Sequence, residues 1–306
     1  MFKGESLEEF KMIIQSFDPL RDGGIIFAIS CGYDNTDIPK YLMEEYGIDM
    51  FINNYDKCLE HFPKSSDGEI INLLLDNGFG IRDTLVKKCL PNLQKIKILF
   101  NRDVDINLVL SICSCYPDVL MSPESMEFVV EQIITTYANH IYEEKILSKI
   151  LTIYFVISDS PKINWMKKLL NMGADVHVHY AMDYIFSHLC EKKWREDEII
   201  DFYEYLVWQC GCDINTGNSY CLQIAIWKNK SSVVRFLLDL GIKITDACIS
   251  AALAQDKKYI TILMQYGISA EKISEIYVSI MPNIRNCKFL VERGVDFNKI
   301  IRDHDF

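Results

Sequence analysis

The feature that most constrains this chain is a glycine that keeps returning just after an apolar helix end. It closes Tyr41-Leu42-Met43-Glu44-Glu45-Tyr46-Gly47, Leu73-Leu74-Leu75-Asp76-Asn77-Gly78 and Leu169-Leu170-Asn171-Met172-Gly173. It returns in Leu206-Val207-Trp208-Gln209-Cys210-Gly211, Phe236-Leu237-Leu238-Asp239-Leu240-Gly241, Ile262-Leu263-Met264-Gln265-Tyr266-Gly267 and Phe289-Leu290-Val291-Glu292-Arg293-Gly294. A degenerate copy, Ile98-Leu99-Phe100-Asn101-Arg102-Asp103, carries Asp in its place. Helices commonly stop on one residue in the left-handed conformation, which Gly adopts without a Cβ penalty. One such Gly is ordinary; seven at nearly the same offset predict a chain of short helical units. The spacing is 31 residues from Gly47 to Gly78, 38 from Gly173 to Gly211, then 30, 26 and 27. Periods of this size mark stacked repeats, which bury their apolar faces only against their neighbours. The 70 residues from Asp103 to Gly173 fit two units, one of which has lost its signature.

Helical periodicity supports the same reading. Leu7, Phe10, Ile14 and Phe17 fall on one face, and Ser6 and Glu9 have the spacing of a capping box. Ser122-Pro123 and Ser160-Pro161 each place an N-cap residue before a Pro at the first helical position. No long alternating apolar and polar run argues for a sheet. With 8 Pro and 14 Gly in 306 residues, the chain is poor in the turn formers an all-β protein needs. Hydrophobic residues at 49% and charged residues at 25% describe a folding chain, not a disordered one.

The most regular unit runs Tyr220-Cys221-Leu222-Gln223-Ile224-Ala225-Ile226, then Val233-Val234-Arg235-Phe236-Leu237-Leu238, then Gly241. It resembles the ankyrin repeat, matching the register Thr-Pro-Leu-His-x-Ala-Ala, Val-Val-x-Leu-Leu-Leu and Gly without a gap. The next unit keeps Ala251-Ala252, Tyr259-Ile260, Ile262-Leu263-Met264 and Gly267; in the first, Ile25 to Gly47, one extra residue precedes the Gly. No unit retains Thr-Pro-Leu-His itself, and the middle, roughly 105 to 165, is repeat-like in helix content only. The style, with Tyr-Gly and Leu-Gly endings in an Ile-, Lys- and Asn-rich chain, looks like the divergent ankyrin-repeat proteins of giant DNA viruses. The resemblance implies an all-α, ankyrin-like helix-pair solenoid of about eight or nine repeats. We expect an N-terminal capping helix over 1–20 and ankyrin-like repeats over 21–104. Divergent helical repeats follow over 105–178, then ankyrin-like repeats and a C-terminal cap over 179–306.

Charge narrows the partners. The net charge is −11, and binding to nucleic acid needs clustered Lys and Arg to displace counterions from phosphates. The nearest such cluster, Lys192-Lys193-Trp194-Arg195, is flanked by Glu191 and by Glu196, Asp197 and Glu198, and reads as a solvated helix end or loop. No nucleic-acid partner is expected. The longest mostly apolar stretch, Ile150 to Ile157, is far short of the roughly 20 residues of a membrane span, so no membrane partner is expected either. The opening residues lack the basic and apolar regions of a signal peptide. The eleven cysteines are odd in number, and Cys31, Cys89, Cys221 and Cys248 sit in apolar helical patterns. They read as free thiols packed as small hydrophobes in an intracellular protein.

Several constellations resemble chemistry and fall short of it. Asp103-x-Asp105-x-Asn107 opens like a calcium loop, but Leu108 and Ser114 stand where the loop needs Gly and a bidentate Glu. His177-x-His179 with His188-x-Cys190, and the pairs Cys113-x-Cys115 and Cys210-x-Cys212, lack the ligand spacing of structural zinc sites. Gly78-x-Gly80 has neither the third Gly nor the preceding strand of a dinucleotide site. We expect no metal, no cofactor and no enzyme.

The expected function is a non-enzymatic protein–protein interaction scaffold. Ankyrin folds line a groove with the residues after the Ala-Ala pair and with those of the turns. In this sequence those are Trp227 and Lys228, with Gly32 and Tyr33 in the first unit and Tyr220 near a turn. Exposed Trp and Tyr anchor partners through large apolar area plus one polar group; packing of Trp227 on the next repeat is the competing reading. Trp194 falls in what reads as an inserted loop, Glu191 to Glu198, a further contact candidate. The resemblance implies a monomeric viral adaptor that binds a host protein in the host cytoplasm. Two alternatives stand beside it: an enzyme hidden in residues 105 to 165, and a ubiquitin-ligase adaptor as among poxvirus ankyrin proteins. For the latter no F-box-like Leu-Pro segment closes the chain, and Leu90-Pro91 lies mid-chain.

Overall fold

A computed structural model describes residues 7–16, 18, 25–31, 36–52, 56, 59, 68–115, 121–136, 144–175, 181–280 and 287–294. The regular structure among these residues is all helical, with no strand. The chain divides into two compact units, Met1–Ile157 and Ser158–Phe306. The division falls inside the segment 105–178 that the sequence marks as divergent.

The first unit contains α1 (Leu7–Ile14), α2 (Ile25–Ser30), α3 (Asp37–Tyr46), α4 (Asp49–Ile52), α5 (Glu69–Asp76), α6 (Asp83–Cys89), α7 (Leu93–Phe100), α8 (Ile106–Cys115), α9 (Pro123–Thr135) and α10 (Glu144–Ile157). α6, α8 and α10 pack successively in one row, and α5, α7 and α9 in another. Contacts between α6 and α7 and between α9 and α10 join the rows. Local chemistry sets the starts. Ser122 accepts the amide N–H of Ser125 and Pro123 opens α9, as the sequence predicts. Asn92 accepts the amides of Gln94 and Lys95 at α7. Near the first helices, Phe27 stacks on Phe51 at 4.3 Å and on Phe79 at 6.1 Å. α1 buries Phe10 and Ile14, two of the four residues expected on its apolar face; Ser6 and Phe17 lie outside the described residues.

The second unit contains α11 (Ile163–Asn171), α12 (Ala181–His188), a single 3₁₀ turn (Leu189–Glu191), α13 (Glu196–Trp208), α14 (Thr216–Trp227), α15 (Ser231–Asp239), α16 (Asp246–Ala254), α17 (Lys257–Gln265), α18 (Ala270–Ile280) and α19 (Cys287–Glu292). α12, α14, α16 and α18 pack side by side in one row, while α13 packs on α15 in the other. α14 pairs with α15, and α16 with α17. α15 shows why: Val233, Val234, Leu237 and Leu238 are all buried, the i, i+1, i+4, i+5 stripe of a helix covered on one side. Each contributes about 1.5–3 kcal/mol of burial.

Polar links tie successive helices of the second row. Lys167 of α11 pairs with Asp201 of α13 at 2.7 Å, and Tyr205 donates to Asn171 at 2.7 Å. Tyr266, just past α17, donates to Asp239 of α15. Lys230 reaches back to the carbonyl of Trp194 at 2.8 Å, and Glu196 accepts the amide of Ser232.

The recurring glycines do what their spacing predicts. Gly47, Gly78, Gly173, Gly211, Gly241, Gly267 and Gly294 all have positive φ, from 70° to 102°. At Gly241, φ is 84° and its amide bonds back to Leu238 at 2.9 Å, closing α15. Asp103, the substitute in the degenerate copy, is itself left-handed at φ 53°. The start expected at Ser160-Pro161 is corrected: Lys162 precedes the first residue of α11, and the Pro161 carbonyl is taken by a side chain described below.

Candidate functional site

A run of aromatic rings crosses two adjacent helices of the second unit. On α12, Tyr184 and His188 stand one turn apart and stack at 4.2 Å with an interplanar angle of 18°. His188 lies 5.5 Å from Tyr220 of α14. Tyr220 meets Trp227, seven residues on, edge to face at 6.5 Å. Tyr184 and Trp227 are each 42% exposed, large for rings of this size, and the ends of the row face solvent. Lys228, also exposed, follows Trp227 directly.

The residues beneath hold this row in place. Tyr203 of α13 is fully buried, packs edge to face on Phe186 at 4.8 Å, and donates its hydroxyl to the Phe186 carbonyl at 2.9 Å. Burial pushes the Tyr203 phenol well above its usual range, so it stays a neutral donor. The Nδ1–H of His188 donates to the Tyr184 carbonyl at 2.8 Å, which fixes the ring against its own helix. At the other end, Gly217, Asn218 and Ser219 form a left-handed turn, with φ between 57° and 63°, immediately ahead of Tyr220. Asn218 and Ser219 are L-residues in a conformation that costs each about 1 kcal/mol. The turn sets where Tyr220 enters the helix. Such strain is worth holding only where the surrounding structure or a function requires it.

Of the residues singled out in the sequence, Tyr220, Trp227 and Lys228 come together here. Tyr33 and Gly32 lie outside the described residues. Trp194 is corrected: it is buried, 6% exposed, and does not stand on an exposed inserted loop. Its indole N–H donates to the Pro161 carbonyl at 2.8 Å, and its ring meets Phe202 edge to face at 5.8 Å. Its neighbours fasten the segment in the same direction. Lys192 bonds the Ser158 carbonyl at 2.9 Å, and burial lowers its pKa. Lys193 pairs with Asp159 at 2.6 Å, which holds that carboxyl below its usual range. The basic cluster is therefore a strap over residues 158–161.

The sequence reading missed Tyr184 and weighed His188 only as a metal ligand. Their i, i+4 aromatic spacing was the available signal. The metal reading of His188-x-Cys190 finds His188 bonded to its own helix and Cys190 buried, with Sγ 3.9 Å from the Tyr203 hydroxyl; His177 and His179 lie outside the described residues. Among the described residues, no group of three or more His, Cys, Asp or Glu is placed to hold a metal. Burial pushes the thiols of Cys89, Cys113, Cys190 and Cys212 up to about 12, so they stay protonated at neutral pH and are poor nucleophiles. No described helix is long and apolar enough to cross a membrane. No family model, curated protein or solved structure matches this chain.

Proposed function

We propose that the chain is a binding scaffold of ankyrin-like helix pairs whose aromatic row, Tyr184, His188, Tyr220 and Trp227, receives a protein partner. The observation that carries this is the row itself: four rings in series across two packed helices, with both end rings 42% exposed. Tyr and Trp are the side chains that most often dominate interface energetics, because they bury large area at low entropic cost. Left-handed glycines at the ends of the units, and the side-by-side packing of α12, α14, α16 and α18, support the ankyrin-like reading. A viral adaptor for a host protein is the narrower form of the same proposal. The enzyme alternative finds less support in the middle segment. The described core there is largely aliphatic and aromatic, with Val109, Val129, Ile133, Leu151 and Phe155; of its buried serines, Ser125 accepts from the Ser122 hydroxyl and Ser148 donates to the Glu144 carbonyl.

Quantitative affinity capture tests the proposal. The double variant Tyr220→Ala/Trp227→Ala, matched to wild type in circular dichroism, loses its specific partner at least tenfold, about 1.4 kcal/mol. Unchanged capture removes the aromatic row from the interface.

A further inference from the structure

A second surface of the same unit has a different chemistry. α15, α17 and the turn after α19 border a cleft of about 490 Å³ that gathers Arg235, Lys257, Lys258 and Arg293. The chain carries a net charge of −11, so four cations at one cleft run against its overall balance. Among the described residues none of the four is in an ion pair. Arg235 donates to the neutral Gln265 amide oxygen at 3.3 Å. The charges of Lys258 and Arg293 lie over the rings of Tyr259 and Phe289 at 4.8 and 5.2 Å. The lining carboxylate, Asp256, is engaged as the cap of α17, accepting the Lys258 amide at 3.1 Å. Elsewhere in this unit cations do find carboxylates, as Lys167 does with Asp201 and Lys272 with Asp246. Between the four charges Ile262 and Phe289 supply apolar wall beside the hydroxyls of Ser231 and Thr261.

We infer that this cleft seats an acidic peptide segment of a protein partner, with carboxylates against the cations and an apolar side chain against Phe289. Four cations against the one lining carboxylate, Asp256, leave the cleft net positive, and an anionic occupant relieves the repulsion among them while steering encounter. The cations come from two helices and the turn after a third, which fits spaced carboxylates better than a single phosphate. A nucleic-acid backbone is disfavoured, because a chain of net charge −11 repels a long polyphosphate more than a short acidic segment. The inference stands on different helices from the aromatic row and does not depend on it.

Fluorescence anisotropy with the full chain tests it. The probe is a labelled peptide of alternating Asp and Leu residues, and its neutral counterpart alternates Asn and Leu. The acidic peptide binds, the neutral one binds at least tenfold more weakly, and added salt weakens the acidic one. Arg235→Glu/Arg293→Glu weakens binding on the order of tenfold or more. The milder Arg235→Gln/Arg293→Gln gives a smaller loss, with circular dichroism confirming the fold of both. Lys243→Glu, an exposed charge reversal away from the cleft, and Tyr220→Ala/Trp227→Ala both bind as wild type. Equal binding of the neutral peptide, no binding of the acidic one, or no effect of charge reversal overturns the inference. Loss in the aromatic variant moves the peptide to the other surface and also overturns it. Displacement by inorganic phosphate at concentrations comparable to the peptide's reassigns the cleft to a phosphate.

Discussion

Asp103 holds a left-handed backbone without the freedom of glycine. It occupies the position that Gly fills in seven other copies, and it takes the same left-handed φ at 53°. Replacing it with Gly removes a steric cost of about 1 kcal/mol, partly offset by the greater freedom of Gly in the unfolded chain. Asp103→Gly therefore raises the denaturation midpoint slightly; a lower midpoint means that the Asp side chain contributes something glycine cannot. The glycines were legible because a backbone requirement leaves few residue choices. Trp194 was not. Its burial depends on the Pro161 carbonyl, 33 residues earlier in the chain, and no local pattern announces a partner that distant. The charges around it read as a solvated loop because acidic residues flank them, whereas Lys192 and Lys193 bond the Ser158 carbonyl and the Asp159 carboxylate of that earlier stretch.

At the scale of elements, the strap of residues 192–195 joins the entry to α11 to the start of α13. Trp194 is its deepest group. Trp194→Ala leaves a cavity and an unpartnered carbonyl, and costs about 3–5 kcal/mol. Urea denaturation measures this, and the folded fraction still captures its partner. Retained stability would mean that the strap is only laid on the surface. Helix existence and facing were legible in the elements: the buried stripe of α15 is the one its Val-Val-x-x-Leu-Leu pattern predicts. Helix starts were legible where a short side chain caps, as at Ser122, and not at Ser160, where tertiary contacts take over the proline segment. The aromatic row was half legible. Tyr220 and Trp227 came from one unit's register, whereas Tyr184 and His188 join them only because α12 and α14 pack side by side.

For the molecule as a whole, burial of acidic side chains sets a stability profile in pH. Cys89, Cys113 and Cys190 rise from 9.0 to about 12 on burial, and Tyr259 from 10.0 to about 12. All are neutral when protonated, and the folded chain holds these protons more tightly than the unfolded one. Their contribution to stability is fully present below about 9, the unfolded thiol value, and is lost as pH rises towards about 12. Denaturation midpoints measured from neutral to alkaline pH therefore fall above about 9, with protons released on unfolding. A flat profile across that range would mean that these groups reach solvent in the folded state.

Site-specific photo-crosslinking tests the proposed binding surface most directly. A benzophenone amino acid replaces Tyr184, Trp227 or Trp208 in turn; Trp208, 67% exposed at the end of α13, serves as the comparison. Positions 184 and 227 are expected to capture one and the same protein on irradiation, and position 208 none of it. Capture of that protein from position 208 alone, or of unrelated proteins from 184 and 227, rules out the aromatic row as the binding surface.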